Sequence, residues 1–147
     1  MKTLTIGDLK ARIPIIQGGM GVGISLSGLA SAVANEGGIG VISAAGLGLL
    51  YKKLSPSNYT EAGNLGLAEE IRKAREKAKG IIGVNVMVAL SDFAELVKTS
   101  IAEKVDIIFS GAGLPLDLPS FLKKDSVTKL VPILSLIHIS EPTRPLY

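Results

Sequence analysis

Nearly continuous apolar segments recur along the chain, separated by stretches in which apolar and charged positions repeat with a helical period. Five apolar segments predict strands, and they cover residues 13–17, 39–43, 81–86, 105–110 and 129–133. Four of them contain almost no polar residue, which is typical of strands that are buried on both faces of a parallel sheet. The pattern therefore predicts an α/β protein with parallel strands.

The intervening stretches predict helices that cover the sheet. Their apolar spacing indicates helices over residues 26–34, 67–78, 93–101 and 118–124. Ser25 or Ser27 is expected to cap the first helix and Asp92 the third, because short polar side chains satisfy free backbone N–H groups. Repeated strand–helix units form either an open doubly wound sheet or a βα barrel. A whole barrel needs about eight units and roughly 250 residues, so the 147 residues of this chain hold about half of one.

The pattern breaks after Ile133. Residues 134–144 resemble, residue for residue, the translation of a transposase-type sequencing adapter. We therefore expect residues 1–133 to be the native unit and residues 134–147 to be a non-native tail. The only histidine of the sequence, His138, lies in this tail, and we expect no catalytic role for it.

Composition narrows the class of function. The formal net charge is +3, and Lys and Arg alternate with Glu along the predicted helices, which indicates solvated helix faces rather than a nucleic-acid surface. The sequence contains no cysteine, which excludes disulfides and cysteine-ligated metals. No secretory signal and no membrane-spanning run is recognisable. We expect a cytoplasmic protein with no metal site, no nucleic-acid partner and no membrane partner.

A glycine-rich turn, residues 18–23, follows the first predicted strand. Glycines at such a turn let backbone N–H groups approach a flat or anionic ligand closely. A dinucleotide-binding turn would require glycine at its first, third and sixth positions and a carboxylate at the end of the next strand. Counted from Gly19 or Gly21, the sixth position holds Ile24 or Leu26, and residues 43–45 include no acidic side chain. Both requirements fail.

Four motifs stand near successive predicted strand ends: PIIQGGM at residues 14–20, GGIGVIS at 37–43, GVNVM at 83–87 and SGAGLP at 110–115. In this order and spacing, the chain from about Leu9 to Ile133 resembles the nitronate monooxygenase family, formerly called 2-nitropropane dioxygenase. That family is related to the FMN-dependent enoyl-ACP reductases. The resemblance implies a partial (βα)8 TIM barrel of about the first four to five units, with FMN bound at the carboxyl ends of the strands.

The resemblance also implies roles for individual residues. Gly19, Met20 and Gly21 would lie along the flavin, and Asn85 matches a flavin-contacting asparagine of the family. An amide suits that position because it can both donate to and accept from the mixed edge of the ring. Gln17 is a weaker candidate for cofactor binding. Further residues expected to line the substrate or the cofactor are Ser43, Ala44, Ser110, Gly111 and Gly113.

No catalytic residue is expected within this chain. Asp106 lies near the beginning of a predicted strand, which places it at the wrong end of a barrel, and Asp117 is expected to cap the following helix. In the family, the general-base histidine and the glycine-rich phosphate loops come from later strands, and residues 1–133 supply neither.

Three hypotheses of function follow. The first is a truncated FMN-dependent oxidoreductase that oxidises small nitronates with dioxygen, the fragment itself being inactive. The second is an enoyl-ACP or NAD(P)H-dependent reductase on the same barrel, because one scaffold supports several chemistries. The third is a non-catalytic fragment that self-associates through exposed barrel edges, since unpaired strand edges are sites of pairing.

Overall fold

The computed structural model describes residues 2–135, so most of the tail predicted for residues 134–147, including His138, lies outside the described residues. The elements in chain order are β1 (Leu4–Ile6), β2 (Leu9–Ala11), α1 (Ser27–Asn35), β3 (Ile39–Ser43), α2 (Leu47–Leu50), α3 (Tyr59–Lys77), β4 (Ile81–Met87), α4 (Phe93–Ala102), β5 (Ile107–Gly111), a 3-10 turn (Leu118–Phe121) and β6 (Lys129–Pro132). Within residues 2–135, no helix combines the length and the apolar character that crossing a membrane requires.

The central sheet contains β3, β4, β5 and β6 in that order, all parallel. Each strand pairs with the next strand of the chain, through the register Val41 to Gly83, Gly83 to Ile107 and Ile107 to Lys129. Residues 13–17 run along the free side of β3. A doubly wound sheet reverses its strand order near the middle, whereas this order is strictly sequential. The α/β class and the initial units of a βα barrel, both expected from the sequence, are confirmed.

The first predicted strand is wrong in extent. Residues 13–17 form only an isolated parallel bridge, between Ile16 and Ile39. The other four predicted strands match β3, β4, β5 and β6 within two residues at each end. Strand formation stops at Gln17 because its side chain, and not its carbonyl, accepts the hydrogen bond from the Val41 N–H group at 2.9 Å.

The strands β1 and β2 form an antiparallel hairpin that the apolar pattern did not predict. The hairpin covers one face of the sheet, which we call the inner face. There its residues pack into a cluster whose buried members are Ala11, Ile39, Val41, Ile107 and Phe109. At the hairpin turn, the Asp8 carboxylate lies 2.7 Å from the ammonium group of Lys129 at the start of β6. The hairpin therefore spans the sheet from β3 to β6 at the amino ends of the strands.

The opposite, outer face carries the helices. Strand residues of even parity, such as Ile42, Val84 and Ile108, join α1, α3 and α4 in the main hydrophobic core. The closest approach is at Gly40, where a Cβ atom would lie only 1.8 Å from the Ala30 carbonyl oxygen of α1. Only glycine permits this helix-to-strand distance.

Helix starts differ from the sequence expectations. Neither Ser25 nor Ser27 caps α1, because Leu26 occupies the N-cap position and provides no side-chain hydrogen bond. Asp92 does occupy the N-cap position of α4, and its carboxylate makes no capping bond. The same holds for Asp117 ahead of the 3-10 turn, which replaces the helix predicted over residues 118–124. These three cap expectations are wrong at the level of the side chain.

The helix predicted over residues 67–78 begins earlier, at Tyr59. The Asn58 side chain accepts from the Glu61 N–H group at 3.0 Å and caps this start. The sequence did not indicate the first turns of this helix because they contain glycine, which lowers helix propensity. At Gly66 a Cβ atom would lie 2.5 Å from the Tyr51 ring, so the glycine lets the chain after α2 pack closely on α3.

Candidate functional site

The carboxyl ends of β3 and β4 are crossed by a loop of residues 18–23, which we call the glycine loop. Gly19 packs directly on Asn85 of β4, since a Cβ atom at Gly19 would lie 2.5 Å from the Asn85 Cβ. Gly21 packs on the end of β3, where the same construction gives 3.1 Å to Ala45 and 3.3 Å to the Ser43 hydroxyl. These glycines are thus required for loop-to-strand packing before any ligand is considered.

Asn85 is the polar side chain at the centre of this edge. It pairs with Ser43 across the sheet, and its position in β4 alternates with Val84 and Val86 of the outer core, which places it on the inner face. Its Nδ2 donates to the Gly19 carbonyl at a distance of 3.3 Å. Within residues 2–135 no other hydrogen bond engages the amide, so Oδ1 and one N–H remain available to a ligand.

Gln17 is engaged differently. Its Nε2 donates to the Gly18 carbonyl at 2.6 Å and to the Ser25 hydroxyl at 2.9 Å, and its Oε1 accepts from Val41. Both amide protons therefore have partners inside the protein. The side chain connects the glycine loop to β3.

Met20 is an exposed residue of the glycine loop. Its N–H group donates to the Ser25 hydroxyl at 2.9 Å, which fixes its main chain. Its side chain is 60% exposed, so the polarizable thioether can contact a planar ligand. Ser25 was considered only as a helix cap in the sequence, and its role in the loop carried no sequence signal beyond the residue type.

The remaining expected lining residues do not share one surface. Ser43 lies on the inner face beneath Gly21, whereas Ser110 pairs with Val86 and lies on the outer, helix-covered face. Both hydroxyl groups are buried and have no hydrogen-bond partner among residues 2–135. Ala44 packs in the outer core.

Two glycines complete the expected set. Gly111 ends β5 beside Met87 and contacts Ile133, to which a Cβ atom would come within 3.1 Å. Gly113 has a φ of +146° and packs against Val88. The structure thus brings Gly19, Gly21, Ser43 and Asn85 together, and it leaves Ala44 and Ser110 on the other side of the sheet.

The segments at this edge contain no charged residue. This holds for residues 17–26, 43–50, 85–91 and 110–116. A phosphate group would find no cation there, since Lys and Arg are the side chains that balance its charge. The edge offers amide, hydroxyl and thioether groups, which suit an uncharged planar surface.

The amino terminus of α1, the other common phosphate site in α/β proteins, is already filled. Glu70 of α3 is 3% exposed, and its Oε2 accepts from the Ser27 N–H group at 2.6 Å. Burial raises the pKa of Glu70, but hydrogen bonds from Tyr51 and Ser27 and the charge of Lys73 bring that pKa below its ordinary value. The resident carboxylate therefore takes the position that a dinucleotide phosphate would need.

A cavity of about 720 Å³ lies away from this edge, between α4 and residues 120–127. It is lined by Lys98, Ile101 and Phe121 among others and includes none of the candidate residues. The candidate residues therefore do not line this cavity.

Comparison with known proteins agrees with this architecture. The sequence profile of the nitronate monooxygenase family matches residues 2–135. The chain has 28% identity to the solved structure of FabK from Thermotoga maritima, with a TM-score of 0.63, and 29% identity to its M276A mutant, with a TM-score of 0.68. No protein with a curated functional description matches.

The sequential parallel strands and the loop at their carboxyl ends define a βα-barrel protein. The chain belongs to the nitronate monooxygenase family. It is covered to 88% by the alignment with either FabK structure, and it spans 37% and 38% of the length of those two chains.

Proposed function

We propose that this chain forms one wall of an FMN site in an oxidoreductase of the nitronate monooxygenase family. The observation that carries the proposal is the Asn85 amide, whose Oδ1 and second N–H have no partner within residues 2–135 and which lies beside the glycine loop at an edge without charged residues. When bound, FMN supplies the redox chemistry, accepting electrons from the substrate and returning them to an acceptor. The protein's part is to bind and orient the ring.

The proposed wall holds the isoalloxazine ring and not the phosphate. Asn85 would donate to and accept from the polar edge of the ring, and Met20 would cover its face. Gly19 and Gly21 would contribute main-chain groups. No cation lies in the wall, and Glu70 fills the nearby helix terminus. On this proposal, the phosphate anchor and the catalytic base lie outside residues 1–133.

We propose a small nitronate as substrate and dioxygen as electron acceptor, in line with the family. The chain alone would be inactive, because the proposed wall provides only neutral side chains and no anchor for the cofactor phosphate.

A second candidate is an enoyl-ACP or NAD(P)H-dependent reductase. The similarity to FabK favours it. Leu116, which follows the carboxyl end of β5, is 79% exposed, and an apolar side chain at that end of the sheet suits a substrate with a hydrocarbon chain. Assays of the protein with a small alkyl nitronate and dioxygen, and separately with an enoyl thioester and NADH or NADPH, distinguish the two candidates. The chain as given is expected to turn over neither substrate.

We also propose self-association through the exposed edges. Ile15 and Ile16 on one side of the sheet and Ile133 and Leu134 on the other are exposed apolar residues. Unpaired edges with apolar side chains favour pairing between copies. Sedimentation velocity over a hundredfold concentration range is expected to show reversible oligomers, and a monomer at every concentration would contradict this.

The ring assignment is tested by titrating the purified chain with lumiflavin, which is the ring alone, and with FMN. Since the wall contacts only the ring, we expect weak binding with dissociation constants within about threefold of each other. Asn85→Ala is expected to weaken both by at least about tenfold, since losing one hydrogen bond has about that effect and the amide is proposed to make two.

The matched control for that variant is Asn35→Ala. Asn35 also makes a single side-chain hydrogen bond to a carbonyl, that of Lys77, but it lies at the far end of α1. Its loss should leave flavin binding unchanged. Absence of binding by either flavin would refute the proposed wall, and FMN binding far tighter than lumiflavin would show a phosphate site that the proposal denies.

A further inference from the structure

The chain leaves the sheet at Gln17 because a side chain replaces a main-chain hydrogen bond. Before that point the parallel pattern is regular, with the Ile39 N–H donating to the Ile15 carbonyl at 2.9 Å and the Gln17 N–H donating to the Ile39 carbonyl at 3.0 Å. The next bond in this pattern would join the Val41 N–H to the Gln17 carbonyl. The Val41 N–H donates to the Gln17 Oε1 at 2.9 Å instead. The main chain is thereby released to cross the strand ends.

The Gln17 amide also reaches Ser25, on the other side of the glycine loop. Gln17 Nε2 donates to the Ser25 hydroxyl, which also accepts from the Met20 N–H and donates to the Gly18 carbonyl at 3.0 Å. The Ser25 main chain bonds Met20 through its N–H and Ser43 through its carbonyl, each at 2.9 Å. Ser25 is 1% exposed, so water does not compete for these bonds.

We propose that Ser25 is a positioning residue of the candidate site. Gln17 and Ser25 form a clasp that holds the glycine loop in its conformation before a ligand binds. A hydroxyl has one proton and two lone pairs, and Gly18, Met20 and Gln17 use all three. Gln17 then acts by positioning the loop and not by contacting the cofactor. The identity of the ligand beside the loop rests on the proposed function. The clasp itself rests on hydrogen bonds within the chain.

The clasp needs an amide at position 17 and a hydroxyl at position 25. Glutamate at position 17 would keep the acceptor for Val41 but lose both donors, and its charge would face the Gly18 carbonyl. Alanine at position 25 would leave the Met20 N–H without its acceptor. The two positions are therefore separable by experiment.

Amide hydrogen exchange of the full chain tests the clasp without any ligand. In Ser25→Ala the Met20 amide is expected to exchange at least about tenfold faster, while amides of β4 and β5 stay unchanged. In Gln17→Glu the Met20 amide is also expected to exchange faster, and Val41 stays protected because its acceptor remains. In Gln17→Ala both amides lose protection.

Ser100→Ala is the matched control, since it removes a buried hydroxyl that bonds only the Leu96 carbonyl within α4. It is expected to leave the exchange of Met20 unchanged. Ser25→Thr keeps the hydroxyl and is expected to restore Met20 protection. Unchanged Met20 exchange in Ser25→Ala would overturn the clasp, as would equal loosening in the Ser100→Ala control.

Lumiflavin titration then tests the positioning role. Ser25→Ala is expected to weaken lumiflavin binding about tenfold and Ser25→Thr to recover it, with no change in Ser100→Ala. If the wild-type chain binds no flavin, the proposed function is refuted. The hydrogen exchange of the Met20 amide still shows whether the clasp holds the loop. If the wild type binds lumiflavin and Ser25→Ala binds it equally well, the positioning role is refuted.

Discussion

The two ends of the parallel sheet are built from different chemistry. At the amino end, ion pairs join neighbouring elements: Asp8 with Lys129, Arg75 with Asp106, and Arg72 with Glu103. At the carboxyl end, residues 17–26, 43–50, 85–91 and 110–116 carry no charge. There glycines, amides and unpartnered hydroxyls replace the ion pairs.

This difference separates stability from function along one axis. In βα barrels the carboxyl ends of the strands carry the site, and the amino ends serve stability. The hairpin of β1 and β2 closes the inner face at the amino end, where Leu4, Ile6 and Leu9 pack on it. The carboxyl end stays open, so its polar groups remain available to a ligand. If so, substitutions at the amino end should change the unfolding free energy and leave ligand binding unchanged.

The largest effect is expected at Glu70, a buried carboxylate of α3 that contacts the start of α1. Glu70→Ala removes the hydrogen-bond partner of Ser27 and Tyr51 and leaves Lys73 without its buried partner. Breaking such a buried network costs about 3 kcal/mol of unfolding free energy. Urea denaturation measures the loss.

The control for Glu70 is its neighbour, Glu69→Ala. Glu69 forms an exposed i,i+4 ion pair with Lys73 at 2.6 Å, and its loss should cost less than about 0.5 kcal/mol. Equal effects of the two substitutions would contradict the assigned role. Because the pKa of Glu70 is lowered, its contribution is full above its ordinary value of 4.5 and is lost as the pH falls through the lower folded value.

The second effect is expected at the amino end. The Asp106 carboxylate accepts from the Ile82 N–H at 2.7 Å and pairs with Arg75 at 2.8 Å, which joins α3, β4 and β5. Asp106→Ala is expected to lower the unfolding free energy by about 2 kcal/mol. Flavin binding, corrected for the unfolded fraction, should not change, since the residue lies at the opposite end from the wall.

Asp117→Ala is the comparison for that variant, because the exposed Asp117 makes no capping bond. Its effect should stay within about 0.5 kcal/mol. A loss of flavin affinity in Asp106→Ala would show that the two ends of the sheet are coupled, and would contradict the division between a stabilising end and a ligand-binding end.

The sequence predicted the order of the strands and helices better than it predicted the contacts between them. Strands β3, β4 and β5 were predictable because burial on both faces requires nearly continuous apolar residues. The three-residue strands of the hairpin are too short for an alternating pattern to be recognised. The start of α3 was concealed by Gly63 and Gly66, which are selected by packing and not by helix propensity.

At the candidate site, the sequence identified residue types but not their partners. The glycine loop was expected from its place after an apolar segment, and Asn85 was expected from the resemblance to the family. Ser25 was expected to serve α1, yet its hydroxyl turns back to the loop, and the free N–H of Ser27 is satisfied by Glu70, 43 positions away. Contacts between residues so distant in sequence depend on tertiary packing, which local patterns do not encode.

The third prediction concerns the unpartnered hydroxyls of Ser43 and Ser110. A buried polar group without a hydrogen bond destabilises the folded state, so Ser43→Ala and Ser110→Ala should each raise the unfolding free energy by up to about 1 kcal/mol. Ser100→Ala, which breaks a bond to the Leu96 carbonyl at 2.8 Å, should lower it by about 1 kcal/mol. Thermal and urea unfolding compare the three, and a loss in all of them would mean that the first two hydroxyls do have partners in solution.

The smallest effect is expected at the ion pair between Asp8 and Lys129, which is exposed on the Asp8 side. The hydrogen bond from Lys129 lowers the pKa of Asp8 below its ordinary value of 3.8. Its stabilising contribution is therefore complete above that value and is lost as the pH falls through the folded pKa. Asp8→Asn should lower the melting temperature slightly at pH 7 in low salt.

That small difference between Asp8→Asn and the wild type should vanish in 1 M NaCl, because salt screens exposed charges, and also at a pH below the folded pKa of Asp8. The Asp106→Ala deficit should persist in 1 M NaCl, since its bond to the Ile82 N–H is not an ion pair and lies partly buried. If salt removed both deficits equally, Asp8 and Asp106 would both stabilise the amino end only through charges that salt screens. The hairpin would then be attached to the sheet mainly by its apolar contacts with Ile39 and Val41.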